Sequence, residues 1–278
     1  IGQVRYQHFI SQQGFTQRPA LKNIIEMFKN DLISAWVIRD MSRENLNFAD
    51  LDKRLCDVSD DKIGELFDEF FLGNKEFGVF QHDGKKKDVQ NNAKQLIAEA
   101  RYYQLLVYFS HDKAFYAFLS DKNTRKNLKA FFVEQRCDMI DIRRRLVERL
   151  ITRGVNSATD VLAIIMNELW RGAPSADESI DDNLAFNLIA EARFIAFIRR
   201  DDLVERPALR ELFLLPEFRQ ALIARWTPRG FNDDASTPPA TLKYLGPNRV
   251  GLDSYLALGG DISSALQRLQ DIFLGSAH

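Results

Sequence analysis

Apolar side chains follow a helical period in three separate segments of the chain. In each segment they recur at spacings of three and four, which places them along one stripe of a helix, and a glycine follows. These residues are Ile63, Leu66, Phe67, Phe70 and Gly73; Leu162, Ile165, Met166, Leu169, Trp170 and Gly172; and Ile262, Leu266, Leu269, Phe273 and Gly275. Each segment therefore predicts an amphipathic helix that ends at a left-handed glycine.

A second pattern repeats with a period of about 95 residues. The five residues from Ile97 to Arg101 return unchanged from Ile189 to Arg193, and a degraded copy opens the chain at Ile1 to Arg5. The apolar residues that follow each block keep their spacing while their identities change. The chain is therefore predicted to contain three copies of one helical unit.

Two further blocks support the same alignment of the copies. The sequence Arg-Pro-Ala-Leu occurs at 18–21 and again at 206–209, with proline where the first turn of a helix accepts it. The middle copy has Lys113 in place of that proline. Downstream, an aromatic residue closes each copy, and we expect burial at all three positions: Trp36, Phe132 and Trp226.

The predicted fold class is all-α, because no segment alternates strictly as a half-buried strand does. The blocks predict a tandem array of three related units, α-solenoid-like or serial helical bundles, with about four to five helices of about 10 to 15 residues each. The predicted boundaries are 1–88, with a truncated N-terminus, 89–180 and 181–278. Polar stretches at 73–92, 171–182 and 227–251 are predicted loops, the last long and irregular.

Composition narrows the range of partners and compartments. The chain carries 38 Lys and Arg against 39 Asp and Glu, so its net charge of −1 gives no global field for nucleic acid or an anionic membrane. No apolar run reaches the roughly 18 to 20 residues of a membrane span. Cys56 and Cys137 lie at non-equivalent positions, unlike the cysteines of a disulfide framework or metal site. We expect a reducing, cytoplasmic compartment, although an export signal upstream of residue 1 stays open.

The densest basic segment has arginines at intervals of four residues, along one side of a predicted helix: Arg145, Arg149 and Arg153. Guanidinium groups bind carboxylates and phosphates through paired hydrogen bonds. The segment 143–153 is therefore the candidate partner-binding surface. Its neighbouring acidic residues also allow a solvated, ion-paired helix face.

One arginine is the only charged residue that recurs in all three first blocks, as Arg5, Arg101 and Arg193. Since its neighbours are apolar, we expect its stem to cover the core and its guanidinium to meet a carbonyl or carboxylate at a junction between units. A catalytic residue would not be needed three times, so the predicted role is structural.

Acidic residues form one enzyme-like pattern. Asp201, Asp202 and Glu205 have the spacing with which helical enzymes hold Mg²⁺ against a diphosphate, and Asn232 begins a partial second motif. That second motif is broken, because Ala240 stands where an acid is needed. The first acids also precede a proline at a predicted helix start, where acids favour the helix N-terminus. We therefore predict no metal, cofactor or catalytic residue.

Stacked helical units leave long exposed surfaces, which chiefly bind proteins or peptides. The leading hypothesis is a protein–protein interaction scaffold, not an enzyme, whose surface combines segment 143–153 with the loop 227–251. Two alternatives remain. One is the repeat region of a secreted effector or secretion-apparatus protein, by analogy at the level of the fold. The other is a metal-dependent helical enzyme that uses Asp201, Asp202 and Glu205.

Overall fold

The computed structural model describes residues 1–38, 46–135, 138–151, 155–170 and 178–227. Throughout these ranges the chain forms helices and their connections, with no strand, so the predicted all-α class is confirmed. Within the same ranges, no helix combines the length and apolar character needed to cross a membrane. The chain divides into two compact bodies, the first made of 1–111 with 116–139 and the second of 112–115 with 140–278.

Both bodies are built from short helices around one or two longer ones. The first body contains α1 (Gly2–Ile10), α2 (Gln13–Thr16), α3 (Pro19–Met27), α4 (Lys29–Ile38), α5 (Phe48–Asp57), α6 (Ile63–Leu72), α7 (Asp83–Tyr108), the later part of α8 (Lys113–Ser120), and α9 (Lys122–Glu134), with 3₁₀ turns at Asp60–Lys62 and Lys75–Phe77. The second contains the start of α8, α10 (Met139–Leu150), α11 (Ala158–Trp170), α12 (Asp182–Phe197), α13 (Asp201–Val204), α14 (Pro207–Leu214) and α15 (Pro216–Trp226).

Local sequence explains many of the helix ends. Proline occupies the first turn of α3, α14 and α15, where its missing N–H costs nothing. Side chains at the starts of α5, α9 and α12 accept backbone N–H groups of the first turn; they belong to Asn47, Asp121 and Asp181. Gly73 ends α6 with a φ of 80°, the left-handed conformation that its sequence position predicted.

The helix α7 corrects two expectations from the sequence. It is 26 residues long, well beyond the expected length, and it begins at Asp83, inside the stretch 73–92 predicted to be a loop. Val89 and Ala93 are buried and extend the apolar stripe toward the N-terminus of the helix. Lys85 lies on this added turn, where its Nζ pairs with Asp31 at 2.7 Å. The polar composition of the segment had hidden these few apolar contacts.

Aromatic rings fill the core of the first body. The ring of Phe71 in α6 lies between 5.1 and 6.2 Å from five other rings: Phe9, Phe15, Phe67, Phe70 and Phe80. Trp36 packs edge-on against Phe9 at 4.8 Å, which ties α4 to α1. Such edge-to-face pairs add to the stabilisation that burial of the rings already provides.

The second body has a smaller aromatic core between α12, α14 and α15. Phe197 packs edge-to-face on Phe213 at 5.0 Å and on Trp226 at 5.8 Å. The three aromatic residues that close the copies in the sequence are all buried, with exposed fractions of 2%, 0% and 4% for Trp36, Phe132 and Trp226. The amphipathic stripes of α6 and α11 are also buried, apart from the half-buried Trp170. The third stripe, 262–275, lies outside the described residues.

Candidate functional site

Two of the three arginines of the predicted binding surface lie on α10, next to one acidic side chain of α11. The Nη1 of Arg145 is 3.1 Å from Asp141, and its Nε is 3.4 Å from an oxygen of Glu168. The Nε of Arg149 is 3.6 Å from the other oxygen of Glu168. Arg153 lies outside the described residues. We call Arg145 and Arg149 the arginine face of α10.

The arginine face stays open to solvent, while the acid that it contacts is largely covered. The side chains of Arg145 and Arg149 are 44% and 67% exposed, against 12% for Glu168. On the adjacent side of α10, Arg144 pairs with Asp141 and with Glu148. The hydrogen bond from Arg144 and the charges of Arg144 and Arg145 lower the pKa of Asp141. An anionic ligand would therefore meet two cations that are partly balanced by neighbouring acids.

Arg143 does not belong to this surface, although it lies in the predicted segment 143–153. Its guanidinium points to the other side of α10 and pairs with Asp112, just before α8, at 2.9 Å. Asp112 is 1% exposed and is also paired with Arg219 of α15. Arg143 faces away from Arg145 because two residues along a helix of 3.6 residues per turn correspond to a rotation of about 200°.

The recurrent block contains a glutamate that contacts the start of another helix. The carboxylate of Glu191 in α12 accepts hydrogen bonds from the backbone N–H groups of Ala114 at 2.9 Å and Phe115 at 3.1 Å, in the first turn of α8. A carboxylate is favoured there because the first N–H groups of a helix have no partner within it. Burial raises the pKa of Glu191 to about 7, although these two hydrogen bonds lower it.

The matching glutamate of the middle copy makes the same contact. Glu99 in α7 accepts a hydrogen bond from the backbone N–H of Leu21, in the first turn of α3, at 3.2 Å. Leu21 and Phe115 are equivalent in the alignment of the copies. The Nζ of Lys129 pairs with the second oxygen of Glu99 at 2.9 Å. We call Glu99 and Glu191 the junction carboxylates, because in the predicted alignment each contacts a helix of the copy before its own.

An ion pair with a buried aspartate accompanies each junction carboxylate, and the positions of the two charges are reversed between the pairs. Before α3, Arg18 pairs with Asp52 of α5, its Nε 3.1 Å from Oδ1. Before α8, Asp112 occupies the equivalent place and pairs with Arg143. Asp52 and Arg143 are each the fifth residue of their helix. Burial raises the pKa of Asp52 to about 6 even though Arg18 lowers it.

The recurrent arginine contacts backbone carbonyls near the end of a helix. The Nη1 of Arg5 donates to the carbonyl of Trp36 at 2.6 Å, and the Nη1 of Arg101 donates to the carbonyls of Phe132 and Gln135, both at 2.8 Å. The sequence predicted a carbonyl or carboxylate partner for this arginine at a junction between units. The partners are carbonyls, but both contacts lie within one predicted copy and not at a junction. Arg193 is half-buried in α12.

Two acidic residues of the enzyme-like pattern lie at the ends of one short helix. Asp201 begins the short helix α13 and Glu205 follows its last residue, and both are exposed. Nothing is described of the Asp202 side chain, and Asn232 lies outside the described residues. In the part of the chain that the structure describes, no three side chains of His, Cys, Asp or Glu are arranged to hold a metal ion.

The junction carboxylates are the residues that the sequence interpretation missed. Their signal was present, because the glutamate recurs unchanged at 99 and 191. It was passed over because the first copy has Gln3 at that position. Compared with known protein families, curated proteins and solved structures, the chain shows no significant match.

Proposed function

We propose that this chain is a protein-interaction scaffold built of three tandem helical units, and that the arginine face of α10 binds an acidic segment of a protein partner. The tandem arrangement is supported by contacts that recur at aligned positions. Arg5 and Arg101 donate to the carbonyls of aligned aromatic residues, and the junction carboxylates accept N–H groups at aligned helix starts. Recurring contacts of this kind are what duplicated units preserve.

The observation that carries the binding proposal is the exposure of two arginines held beside one covered acid. The carboxylate oxygens of Glu168 lie 3.4 Å from the Nε of Arg145 and 3.6 Å from the Nε of Arg149, so this one acid holds the two guanidinium groups side by side. Planar guanidinium groups suit paired hydrogen bonds to carboxylates, and ordering them in advance lowers the entropy lost on binding.

The exposed apolar residues of this region do not adjoin the arginine face. Ile140, near the start of α10, is 57% exposed, and Ile151, just after its end, is 36% exposed. At about 100° for each residue of a helix, they lie roughly 120° to 180° around the axis from Arg145 and Arg149. The arginine face is therefore a charged surface, and a partner segment rich in acidic residues would fit it. The loop 227–251, the other part of the hypothesis, lies outside the described residues.

A capture experiment with matched charge reversals tests the proposal. The tagged chain is incubated with extract from its native source, and the proteins that co-elute are compared with those from an Arg145→Glu/Arg149→Glu variant. The matched control is Arg144→Glu, an exposed arginine of the same helix that pairs with Asp141 and Glu148 instead of Glu168. Circular dichroism and urea unfolding check that each variant is folded.

The expected result is a partner that the double variant loses and the Arg144→Glu control keeps. Its binding should also weaken as salt rises, because surface charges are screened. An Arg145→Gln/Arg149→Gln variant separates the loss of attraction from repulsion. Capture that is equal for wild type and both double variants would remove the arginine face from the proposal.

A further inference from the structure

The first body contains a small cavity between the start of α6 and the start of α7. Its volume is about 130 Å³. Since roughly 10 to 15 Å³ is enough for one water molecule, a ligand of several non-hydrogen atoms fits inside. The segments 60–65, 80–81 and 86–90 meet around this space, which we call the α6–α7 cavity. Its lining includes Asp60, Asp61, Gly64, Phe80 and Lys86.

Buried hydrogen bonds hold one wall of the α6–α7 cavity in place. The carboxylate of Asp68 in α6, which is 0% exposed, accepts hydrogen bonds from the backbone N–H of Phe80 at 3.1 Å and from the Nε2 of Gln81 at 2.9 Å. Gly64 lets this segment approach α6 closely, since a Cβ built on Gly64 would lie 2.9 Å from the carbonyl oxygen of Phe80. The wall is therefore ordered in advance, which lowers the entropy lost on binding.

The carbonyl of Phe80 at this wall lacks a hydrogen-bond donor among the described residues. Phe80 is 0% exposed, yet no N–H or O–H group in the described part of the chain donates to its carbonyl oxygen. Buried backbone carbonyls are nearly always paired with protein, ordered water or a ligand. We therefore expect a bound molecule to supply a donor at this oxygen.

Charged side chains of both signs stand around the α6–α7 cavity. Lys62 and Glu65 form an ion pair of their own, at 2.7 Å. The other three charges belong to Asp60, Asp61 and Lys86, which are exposed and form no ion pair with any residue that the structure describes. Two carboxylates and one ammonium group are therefore available to a ligand.

Asp61 and Lys86 lie close enough to influence each other. Hydrogen bonds from Ser59 and from its own backbone lower the pKa of Asp61, and the charges of Lys62 and Lys86 lower it further. Asp61 is therefore ionised at neutral pH. A ligand that enters between these groups meets a carboxylate on the side of the 3₁₀ turn and an ammonium group on the side of α7.

We propose that the α6–α7 cavity binds a free amino acid in its zwitterionic form. The ammonium group of the ligand donates to Asp60, to Asp61 and to the carbonyl of Phe80, and its carboxylate pairs with Lys86. A simple amine would leave Lys86 without a partner, and a simple carboxylate would meet two like charges, so the charges of the cavity favour a ligand that carries both groups. The site lies in the first body and is independent of the arginine face.

A thermal-shift screen of the full chain against the standard L-amino acids, followed by calorimetric titration, tests the proposal. A bound amino acid at saturation should raise the melting temperature by about 2 to 4 °C. Two analogues of the best ligand separate its charged groups. The amine that lacks the carboxylate should bind more weakly, and the acid that lacks the ammonium group should not bind.

Matched variants assign the two ends of the ligand. Lys86→Ala should weaken binding of the amino acid about two- to fivefold and leave binding of the amine unchanged, whereas Lys87→Ala, at the next exposed lysine and outside the cavity, should change neither. Asp60→Asn/Asp61→Asn should weaken both ligands about tenfold or more. The exposed Asp57, changed to Asn, is the control for that variant.

The proposal has three results that would overturn it. The first is that none of the standard L-amino acids binds. The second is that Lys86→Ala and Lys87→Ala weaken binding equally. The third is that magnesium chloride raises the melting temperature, that Asp60→Asn/Asp61→Asn abolishes this rise and that amino acids have no such effect, which would assign the acids to a metal ion. Urea unfolding checks that each variant is folded.

Discussion

Asp52 in α5 and Arg143 in α10 occupy matching helix positions with opposite charges. Asp52 pairs with Arg18 and Arg143 pairs with Asp112, and the two partners also match in the alignment of the copies. In the proposed alignment of the copies, an ion pair therefore occupies the same place twice, with both charges reversed. This relationship suggests that the pair orients α5 and α10 against the helix starts beside them.

The reversed polarity makes the first pair testable by exchange. Arg18→Asp alone should lower the free energy of unfolding by about 3 to 5 kcal/mol, because it leaves two acids buried together. Arg18→Asp combined with Asp52→Arg copies the second junction and should recover a large part of that loss. Urea unfolding measures both variants. Lys22→Ala, which breaks an exposed pair with Glu26, serves as the control and should cost about 1 kcal/mol or less.

The exchange has a clear negative outcome. If the double variant is no more stable than Arg18→Asp, the two pairs are not equivalent in function. In that case the main contribution of Arg18 to stability would come from its guanidinium group over the ring of Tyr103, whose centre is 4.0 Å from the guanidinium carbon, and not from its pairing with Asp52.

Stability should depend on pH through Glu191. Burial raises its pKa from 4.5 to about 7, so between these values the folded chain binds a proton that the unfolded chain does not. The contribution of this group to stability is therefore complete below its unfolded pKa and falls as pH rises toward 7. Glu191→Gln removes the titration and should flatten the pH dependence of the unfolding free energy.

The size of the effect follows from the pKa. From about pH 5.5 to about pH 8 the wild type should lose about 2 kcal/mol more than Glu191→Gln, at about 1.4 kcal/mol for each unit up to the folded pKa. The measurement is urea unfolding at several pH values. The exposed Glu134, changed to Gln, is the control and should follow the wild type. Parallel curves for wild type and Glu191→Gln would contradict this assignment.

The sequence predicts where most helices lie better than it predicts the contacts between them. The stripe of α6 and its final Gly73 follow from spacing alone, because a helix with one apolar face must bury it. The start of α7 was missed because two apolar residues, Val89 and Ala93, were too few to outweigh a polar stretch. The pairing of Arg143 with Asp112 was also hidden, since an alignment that scores identity does not match an arginine with an aspartate.

The recurrent arginine should contribute to stability according to its burial. Arg101 is 6% exposed and donates to two carbonyls, whereas Arg5 is half-buried and donates to that of Trp36. Arg101→Met keeps an apolar stem of similar length but loses the charged donors, and should cost about 1.5 to 3 kcal/mol. Arg5→Met should cost less, about 0.5 to 1.5 kcal/mol. Equal losses in thermal or urea unfolding would show that burial does not set the contribution of this arginine.

The aromatic residue that closes the last copy provides the final test. Trp226 is 4% exposed and packs on Phe194 and Phe197 of α12, so Trp226→Ala should lower the unfolding free energy by about 3 to 5 kcal/mol. The half-buried Trp170 is the matched control, and its change to Ala should cost less. Hydrogen exchange should show faster opening of α12 and α15 in Trp226→Ala while α1 and α6 keep their protection, because repeat units lose stability locally. Unchanged stability would mean that Trp226 is wrongly aligned with Trp36 and Phe132.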